Sequence, residues 1–292
     1  MKNAAIVKLR KLSITLKKMP GAVLLLGKLR KLYSNSDRSV KIDDFDGEMT
    51  IDLRLGEHMQ SQIFWYGYYN RDIVMAMGNI LHPGMVVFDV GGNIGEIALC
   101  AARRVGDAGS VYSFEPIPGL YDTLQYNLSR NGLDQAHPIP VGVSNKVGSA
   151  RIYVCGSRGG DGTVNEGLGT LYPSEATPLL SCEIKLTTLD DFCNEMSIDR
   201  LDLIKIDVEG SELDVLKGGA ETLKRFRPRL IIEVQRQSAE ASGATDVEIL
   251  KHLEGLGYSF FSIGRKAKLQ VLYPDQLKRF QNVLCVPNET LV

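Results

Sequence analysis

Val86-Val87-Phe88-Asp89-Val90-Gly91-Gly92-Asn93-Ile94-Gly95 decides how this chain is read. The first five residues, four of them apolar and three of those Val, fit a buried strand. The glycines then break the extended path, and Ile97-Ala98-Leu99-Cys100-Ala101-Ala102 resumes with helical character. A strand, a tight glycine loop and a helix together present backbone N–H groups at a helix N-terminus, so this loop is expected to hold a ligand.

Two ligands compete for it. A dinucleotide fingerprint needs glycine at the first, third and sixth positions of G-x-G-x-x-G. Counted from Gly91, those positions hold Gly91, Asn93 and Glu96, so the fingerprint fails. Asp89 also sets a carboxylate where a pyrophosphate would have to lie. A carboxylate suits positive charge instead, such as the ammonium and sulfonium of S-adenosylmethionine, and the loop amides are expected to stay free for that ligand's single carboxylate. Glu115 ends the next strand-like run, Val111-Tyr112-Ser113-Phe114-Glu115, where an acid accepts hydrogen bonds from ribose hydroxyls. D-x-G-x-N-x-G followed by Phe114-Glu115-Pro116 therefore reads as an S-adenosylmethionine site. Its candidate residues are Asp89, Gly91, Gly92, Asn93, Gly95, Glu115 and Pro116.

Three segments together resemble the FkbM-type methyltransferases, within the Rossmann-like S-adenosylmethionine-dependent enzymes. They are Phe88 to Gly95, Phe114-Glu115-Pro116, and Ile204-Lys205-Ile206-Asp207-Val208-Glu209-Gly210-Ser211-Glu212 followed by Val215-Leu216-Lys217-Gly218-Gly219. The resemblance covers roughly residues 60 to 260. Gly92 departs from it, since the family more often has Ala there, and the exchange is expected to be harmless between two small residues. The resemblance implies O-methylation of a hydroxyl on a sugar, polyketide or related small molecule.

The 292 residues are 44% hydrophobic and 24% charged, which suits one large α/β domain with an extension. The formal net charge of -1 makes the whole molecule no general polyanion binder. Nine of the 34 basic residues and none of the 35 acidic ones fall within residues 1 to 36. The cysteines are scattered without a C-x-x-C, which points to a reduced, cytoplasmic setting and to neither a zinc site nor a disulfide framework.

Residues 1 to 36 read as a basic amphipathic arm, split by Pro20-Gly21. Its apolar run is too short to span a bilayer, and no small-residue cleavage site follows it. It either lies on an anionic inner membrane face or a partner, or caps the domain with a solvated basic face, the commoner arrangement. Residues 37 to 80 form a prelude: a hairpin over 39 to 55 with Asp46-Gly47 as its turn, then Phe64-Trp65-Tyr66-Gly67-Tyr68-Tyr69. Those aromatics either floor an acceptor pocket or pack the prelude onto the sheet. Residues 81 to 292 are the methyltransferase domain. It is an α/β fold with a Rossmann-like, mostly parallel seven-stranded sheet and helices on both faces, ending in an antiparallel pair, Tyr258 to Ile263 with Asn282 to Val286. Val143 and Ser144 follow the third strand, where an adenine ring is expected. Residues 156 to 181, with six glycines and two prolines, are expected to be a substrate lid.

In open α/β sheets, ligands bind beyond the carboxyl ends of the strands. Asp89, Glu115, Ser144, Asp207, Glu209 and Glu233 all belong to that edge, whereas of the histidines only His58 has any route to it. With the fourth strand read as Leu203 to Val208, Lys205, Asp207 and Glu209 fall on one side at period two. Charges in an apolar strand are costly unless paired or functional. Lys205, Asp207 and Glu209 are therefore the catalytic candidates. Asp207 and Glu209 stand near the methyl group, one positioning cofactor or acceptor and one as general base, while Lys205 equally suits a structural ion pair. Without a nearby histidine or a third clear acid, no metal is assigned. The reading is an S-adenosylmethionine-dependent O-methyltransferase with a small-molecule or glycan hydroxyl acceptor, its oligomeric state left open. The rivals are a nicotinamide oxidoreductase, disfavoured by the failed fingerprint, and a non-catalytic cofactor-binding scaffold. Nucleic acid is disfavoured as a partner by the acidic core and by the absence of an Asn/Asp-Pro-Pro-aromatic motif after the fourth strand.

Overall fold

The computed structural model describes residues 2–16, 31, 33, 38–155, 163–164, 169–173 and 179–290. Most of the expected lid falls outside them, as does much of the basic arm. The chain divides into two compact units, Met1–Arg71 with Val154–Leu168 and Thr177–Leu180, and Asp72–Tyr153 with Gly169–Ala176 and Ser181–Val292. The division thus follows Arg71 and joins the arm to most of the prelude, instead of falling at 36/37 and 80/81. No described helix is long and apolar enough to cross a membrane.

In the first unit, helix α1 (Lys2–Leu16) packs near α2 (His58–Tyr66), beside the hairpin of β1 (Ser39–Phe45) and β2 (Met49–Arg54). The hairpin turns where it was expected to, with Asp46 and Gly47 both at positive φ. Arg10 departs from the solvated basic face expected of the arm. It is buried, donates from Nε to the Phe64 carbonyl at 2.7 Å and pairs with Asp44 at 2.6 Å. Phe64 and Trp65 are fully buried and meet edge to face at 4.9 Å. They are core residues of this unit, which removes them as the floor of an acceptor pocket. His58 also belongs to this unit, with Nδ1 3.0 Å from the Thr163 hydroxyl.

The second unit opens on α3 (Arg71–Ile80) and then alternates strand and helix: β3 (Val86–Val90), α4 (Glu96–Val105), β4 (Ser110–Phe114), α5 (Pro118–Arg130) and β5 (Ala136–Ile139). Gly132, with φ +62, follows the α5 C-cap Asn131 as expected. Four short strands interrupt: β6 (Gly142–Val143), β7 (Gly148–Cys155), β8 (Gly169–Thr170) and β9 (Leu179–Thr187), joined in the order β6-β9-β7-β8. Helix α6 (Leu189–Glu195) starts on Thr188, whose hydroxyl accepts from the Asp191 N–H as an N-cap. The alternation resumes with β10 (Leu203–Ile206), α7 (Glu212–Lys217), α8 (Ala220–Phe226), β11 (Arg229–Gln235), α9 (Arg236–Ala241) and α10 (Asp246–Gly255). It closes with β12 (Tyr258–Gly264), β13 (Lys268–Leu272) and β14 (Phe280–Pro287).

Among the described residues the main sheet has eight strands, ordered β13-β12-β14-β11-β10-β3-β4-β5. The expected seven are all present, and β13 is the addition. Its Lys-Leu-Gln-Val-Leu alternation is weak because four of its five side chains are exposed at the sheet edge. The strands from β11 to β5 run parallel, and β12, β13 and β14 are antiparallel. Central parallel strands are covered on both faces, which is why β3, β10 and β11 are mostly apolar, each interrupted by a single charge within its apolar run: Asp89, Lys205 and Glu233. Chain order reverses between β3 and β10: β4 and β5 continue to one side, while β10 and β11 fill the other. Such a switch point opens a crevice at the carboxyl ends of the strands, and the charged residues gather there.

Candidate active site

At the switch point the parallel register places Ser113, Asp89, Lys205 and Ile231 in one row across β4, β3, β10 and β11. The row explains the charges in the middle of an apolar sheet. Asp89 is fully buried and accepts from the Ser113 hydroxyl through Oδ2 at 2.8 Å, while its Oδ1 accepts no hydrogen bond. Lys205 Nζ lies 3.7 Å from that Oδ1 and 3.2 Å from Asp207 Oδ2, and donates to the Gly91 carbonyl at 3.2 Å. Burial alone pulls the Lys205 ammonium down, but Asp207 and Asp89 together hold it above its ordinary value, so it stays charged. Burial raises Asp89 against the opposing pull of Lys205. Of the two readings open for Lys205, the geometry shows the ion pair.

The glycine loop is built against this row. Gly91 and Gly95 stand at φ +87 and +98, and Asn93 at +49. A Cβ on Gly91 would fall 2.0 Å from the Asp207 carbonyl oxygen, so backbone packing requires glycine there. Gly92 is constrained by a side chain instead, since its Cβ would meet the Ser113 hydroxyl at 2.2 Å. An alanine at this position would have to displace that hydroxyl from its hydrogen bond to Asp89.

The loop amides are not free. Gly91 and Gly92 donate to the Phe114 carbonyl, Asn93 to Glu115 Oε2, Ile94 to the Asn93 side-chain oxygen, and Gly95 to the Gly92 carbonyl. A turn this tight satisfies its own donors, and the anion-binding role expected for them is corrected accordingly. Glu115 takes the Asn93 and Ile117 N–H groups on its two oxygens, at 2.9 and 2.8 Å. Each carboxylate oxygen keeps acceptor capacity for a further donor such as a ribose hydroxyl. Burial raises Glu115 to about 7, opposed by those two N–H bonds. Pro116 follows, half-buried. The Val143 side chain is buried in the core cluster with Phe114, Leu189 and Leu216, which leaves only its backbone for the expected adenine contact. Ser144 is buried as well, its N–H on the Thr187 carbonyl.

β10 ends at Ile206, two residues short of the expected strand, so the period-two alignment of Lys205 with Asp207 and Glu209 is not how these groups meet. Asp207 still pairs its N–H with the Val90 carbonyl, after which Glu209 turns left-handed at φ +48. That turn brings carboxylate oxygens of Asp207, Glu209 and Glu233 within 4.8 Å of one another. Glu233, expected on this edge of the sheet but not joined to Asp207 and Glu209 by any spacing in the sequence, is the third acid of the group. It lies on β11, and only the β10–β11 pairing brings it to Asp207. Burial raises Glu209 to about 7, helped by the negative charges of Asp207 and Glu212, and for the same reasons Glu233 rises further. Glu212, whose role was also unread, holds the turn from within: its carboxylate accepts the Gly210 N–H at 3.1 Å and is itself raised to about 7 by burial. Asp89, fully buried against Ser113 and Lys205, does not face a ligand as expected, whereas the half-buried Asp207, Glu209 and Glu233 near Glu115 suit a cationic nucleoside such as S-adenosylmethionine better than a pyrophosphate.

Three curated relatives agree with this chemistry. The chain is 28% identical over 174 residues to methyltransferase sdnD of Sordaria araneosa, covering 52% of this chain and 67% of that protein. It is 30% identical over 156 residues to the hexuronic acid methyltransferase AglP of Haloferax volcanii, covering 53% and 58%. It is 29% identical over 225 residues to the 31-O-demethyl-FK506 methyltransferase FkbM of Streptomyces tacrolimicus, covering 68% and 82%. Over residues 89–260 the sequence matches the methyltransferase FkbM domain, a stretch that runs from Asp89 through Glu233 and holds every site residue just described. The chain belongs to the FkbM family of S-adenosylmethionine-dependent methyltransferases.

Proposed function

We propose that the protein methylates a hydroxyl group of a sugar or other small-molecule natural product, with Glu209 as the general base. The relatives named for a hexuronic acid and for 31-O-demethyl-FK506 support an oxygen acceptor. The cluster of Asp207, Glu209 and Glu233 carries the proposal, because it sets a base of suitable strength beside the cofactor crevice. S-adenosylmethionine supplies a methyl group on a sulfonium, ready for in-line displacement. Glu115 would hold its ribose, and Asp207 would face its positive end.

The chain's own task is then to align an acceptor oxygen and take its proton. With a value of about 7, Glu209 is largely ionised just above neutral pH and strong enough to accept that proton. Glu233, raised further, keeps its proton and spares the cluster a third negative charge. Lys205 already supplies positive charge to Asp207, so the cluster is read as a proton-holding site and not as a cation site.

The test combines calorimetry with turnover on a panel of sugar and polyketide hydroxyls. S-adenosylhomocysteine should bind the wild type, and bind Glu115→Ala at least about tenfold more weakly. Glu209→Gln should retain binding and lose about 10²–10⁴-fold in kcat, and EDTA should leave wild-type turnover intact. Cofactor binding without turnover on any hydroxyl would favour a scaffold. Turnover lost to EDTA and restored by magnesium would assign the cluster to a metal.

A further inference from the structure

Glu209 is a non-glycine residue at φ +48, a strained conformation that persists only where the surroundings enforce it. Several groups enforce it here. The Thr170 hydroxyl donates to the Glu209 carbonyl at 2.9 Å. The same hydroxyl accepts the Tyr172 N–H at 3.1 Å, which fixes where its own proton points. Tyr172 Oη donates to Asp214 Oδ2 at 2.6 Å, and the other oxygen of Asp214 takes the Asn145 side-chain amide at 2.7 Å. Asp214 belongs to α7, the helix that leaves the Glu209 turn. The short segment from Gly169 to Tyr172 therefore grips this turn at its carbonyl and again at the helix that follows it. Gly169 makes the approach possible, since a Cβ there would meet Ile117 at 2.7 Å. On the far side, Gly210 at φ +100 lies against the Ser238 carbonyl, and the Ser238 hydroxyl is 3.3 Å from Glu209 Oε2.

We propose that Thr170 and Tyr172 are positioning residues for the methyl-transfer base, clamping the Glu209 turn so that its carboxylate stays among Asp207 and Glu233. The inference rests on the reading of Glu209 as that base. Among the described residues, the hydrogen bonds of Thr170 and Tyr172 go to the Glu209 turn and to α7 and none to the glycine loop, so the clamp acts on proton removal and not on cofactor affinity. Once the Thr170 hydroxyl is removed, the turn relaxes toward ordinary backbone angles and Glu209 moves toward solvent. Its carboxyl then falls from about 7 toward its ordinary value.

The experiment compares Thr170→Val, Thr170→Ser, Tyr172→Phe and Glu209→Gln in the full chain, measuring kcat, KM, the pH profile of kcat and S-adenosylhomocysteine affinity. Thr170→Val should lower kcat by about tenfold or more and move the acidic limb of the profile to lower pH. Its S-adenosylhomocysteine affinity should stay at the wild-type level, which also shows that the variant folds. Thr170→Ser should restore both kcat and the limb, and Tyr172→Phe should fall between. If Glu209→Gln is inactive while Thr170→Val keeps wild-type kcat and profile, the clamp is overturned and the base stands. If Glu209→Gln keeps wild-type turnover, the base reading fails and the clamp fails with it.

Discussion

Lys205 shows what a single residue can and cannot reveal. A lysine between Ile204 and Ile206 in a strand announces a charge that is either paired or catalytic, and the sequence alone leaves both roles open for it. Its partner Asp89 lies more than a hundred residues earlier, and only the parallel register of β10 on β3 makes the two neighbours. The same limit applies to Glu233: the sequence places it on the right edge of the sheet, but its nearness to Asp207 depends on strand pairing and not on spacing. Removing one member of a buried ion pair is more damaging than replacing the pair, because the other charge is left uncompensated. Lys205→Met should therefore cost about 3–5 kcal/mol of stability, read from urea unfolding at pH 7. Adding Asp89→Asn should recover part of that loss, since the orphaned carboxylate goes with it. A Lys205→Met protein within about 1 kcal/mol of wild type would mean that the pair holds nothing together.

At the scale of elements, strands and helices were readable wherever apolar runs and caps coincide. β3, β4, β10 and β11 stand out as buried runs, and Thr188 with Asp191 marks the start of α6. Turns were less readable, because their hydrogen bonds are decided by what they fold against. The loop after β3 looked open to an anion, yet it closes on Phe114 and Glu115 from the neighbouring strand. β10 stops early because Glu209 and Gly210 adopt positive φ, a choice dictated by Glu212, Thr170 and Ser238. The Gly92 position tests this dependence on neighbours. An added methyl group collides with the buried Ser113 hydroxyl, and overpacking of this kind costs about 1–3 kcal/mol. Gly92→Ala should lower the melting temperature accordingly. The double variant Gly92→Ala/Ser113→Ala should be more stable than Gly92→Ala alone, although Ser113→Ala by itself removes a hydrogen bond from Asp89. Purely additive losses in that cycle would show that the two positions do not compete for space.

Across the whole molecule, the crevice concentrates carboxyls that folding makes harder to ionise. Glu115, Glu209 and Glu212 rise from 4.5 to about 7, and Glu233 rises further, in each case chiefly through burial. Between pH 4.5 and 7 the folded chain keeps protons on these groups that the unfolded chain has released. Stability must then fall as pH rises through that window, since it follows the excess of protons bound by the unfolded state. Each shift to about 7 is worth about 3 kcal/mol and that of Glu233 more, and mutual coupling reduces the total for the set to several kcal/mol. Two groups act in the opposite sense. Glu289, held to about 2 by Arg227, contributes stability that is lost only below pH 4.5, outside the window. His252, lowered by burial and by Lys217, favours higher pH, but it is one group against four. Denaturation midpoints of the ligand-free protein should therefore decline from pH 5 to pH 8, and Glu233→Gln should flatten the decline. A midpoint that climbs across this interval would mean that the crevice carboxyls ionise as freely in the folded chain as in water, and the basis for Glu209 as a near-neutral base would go with them.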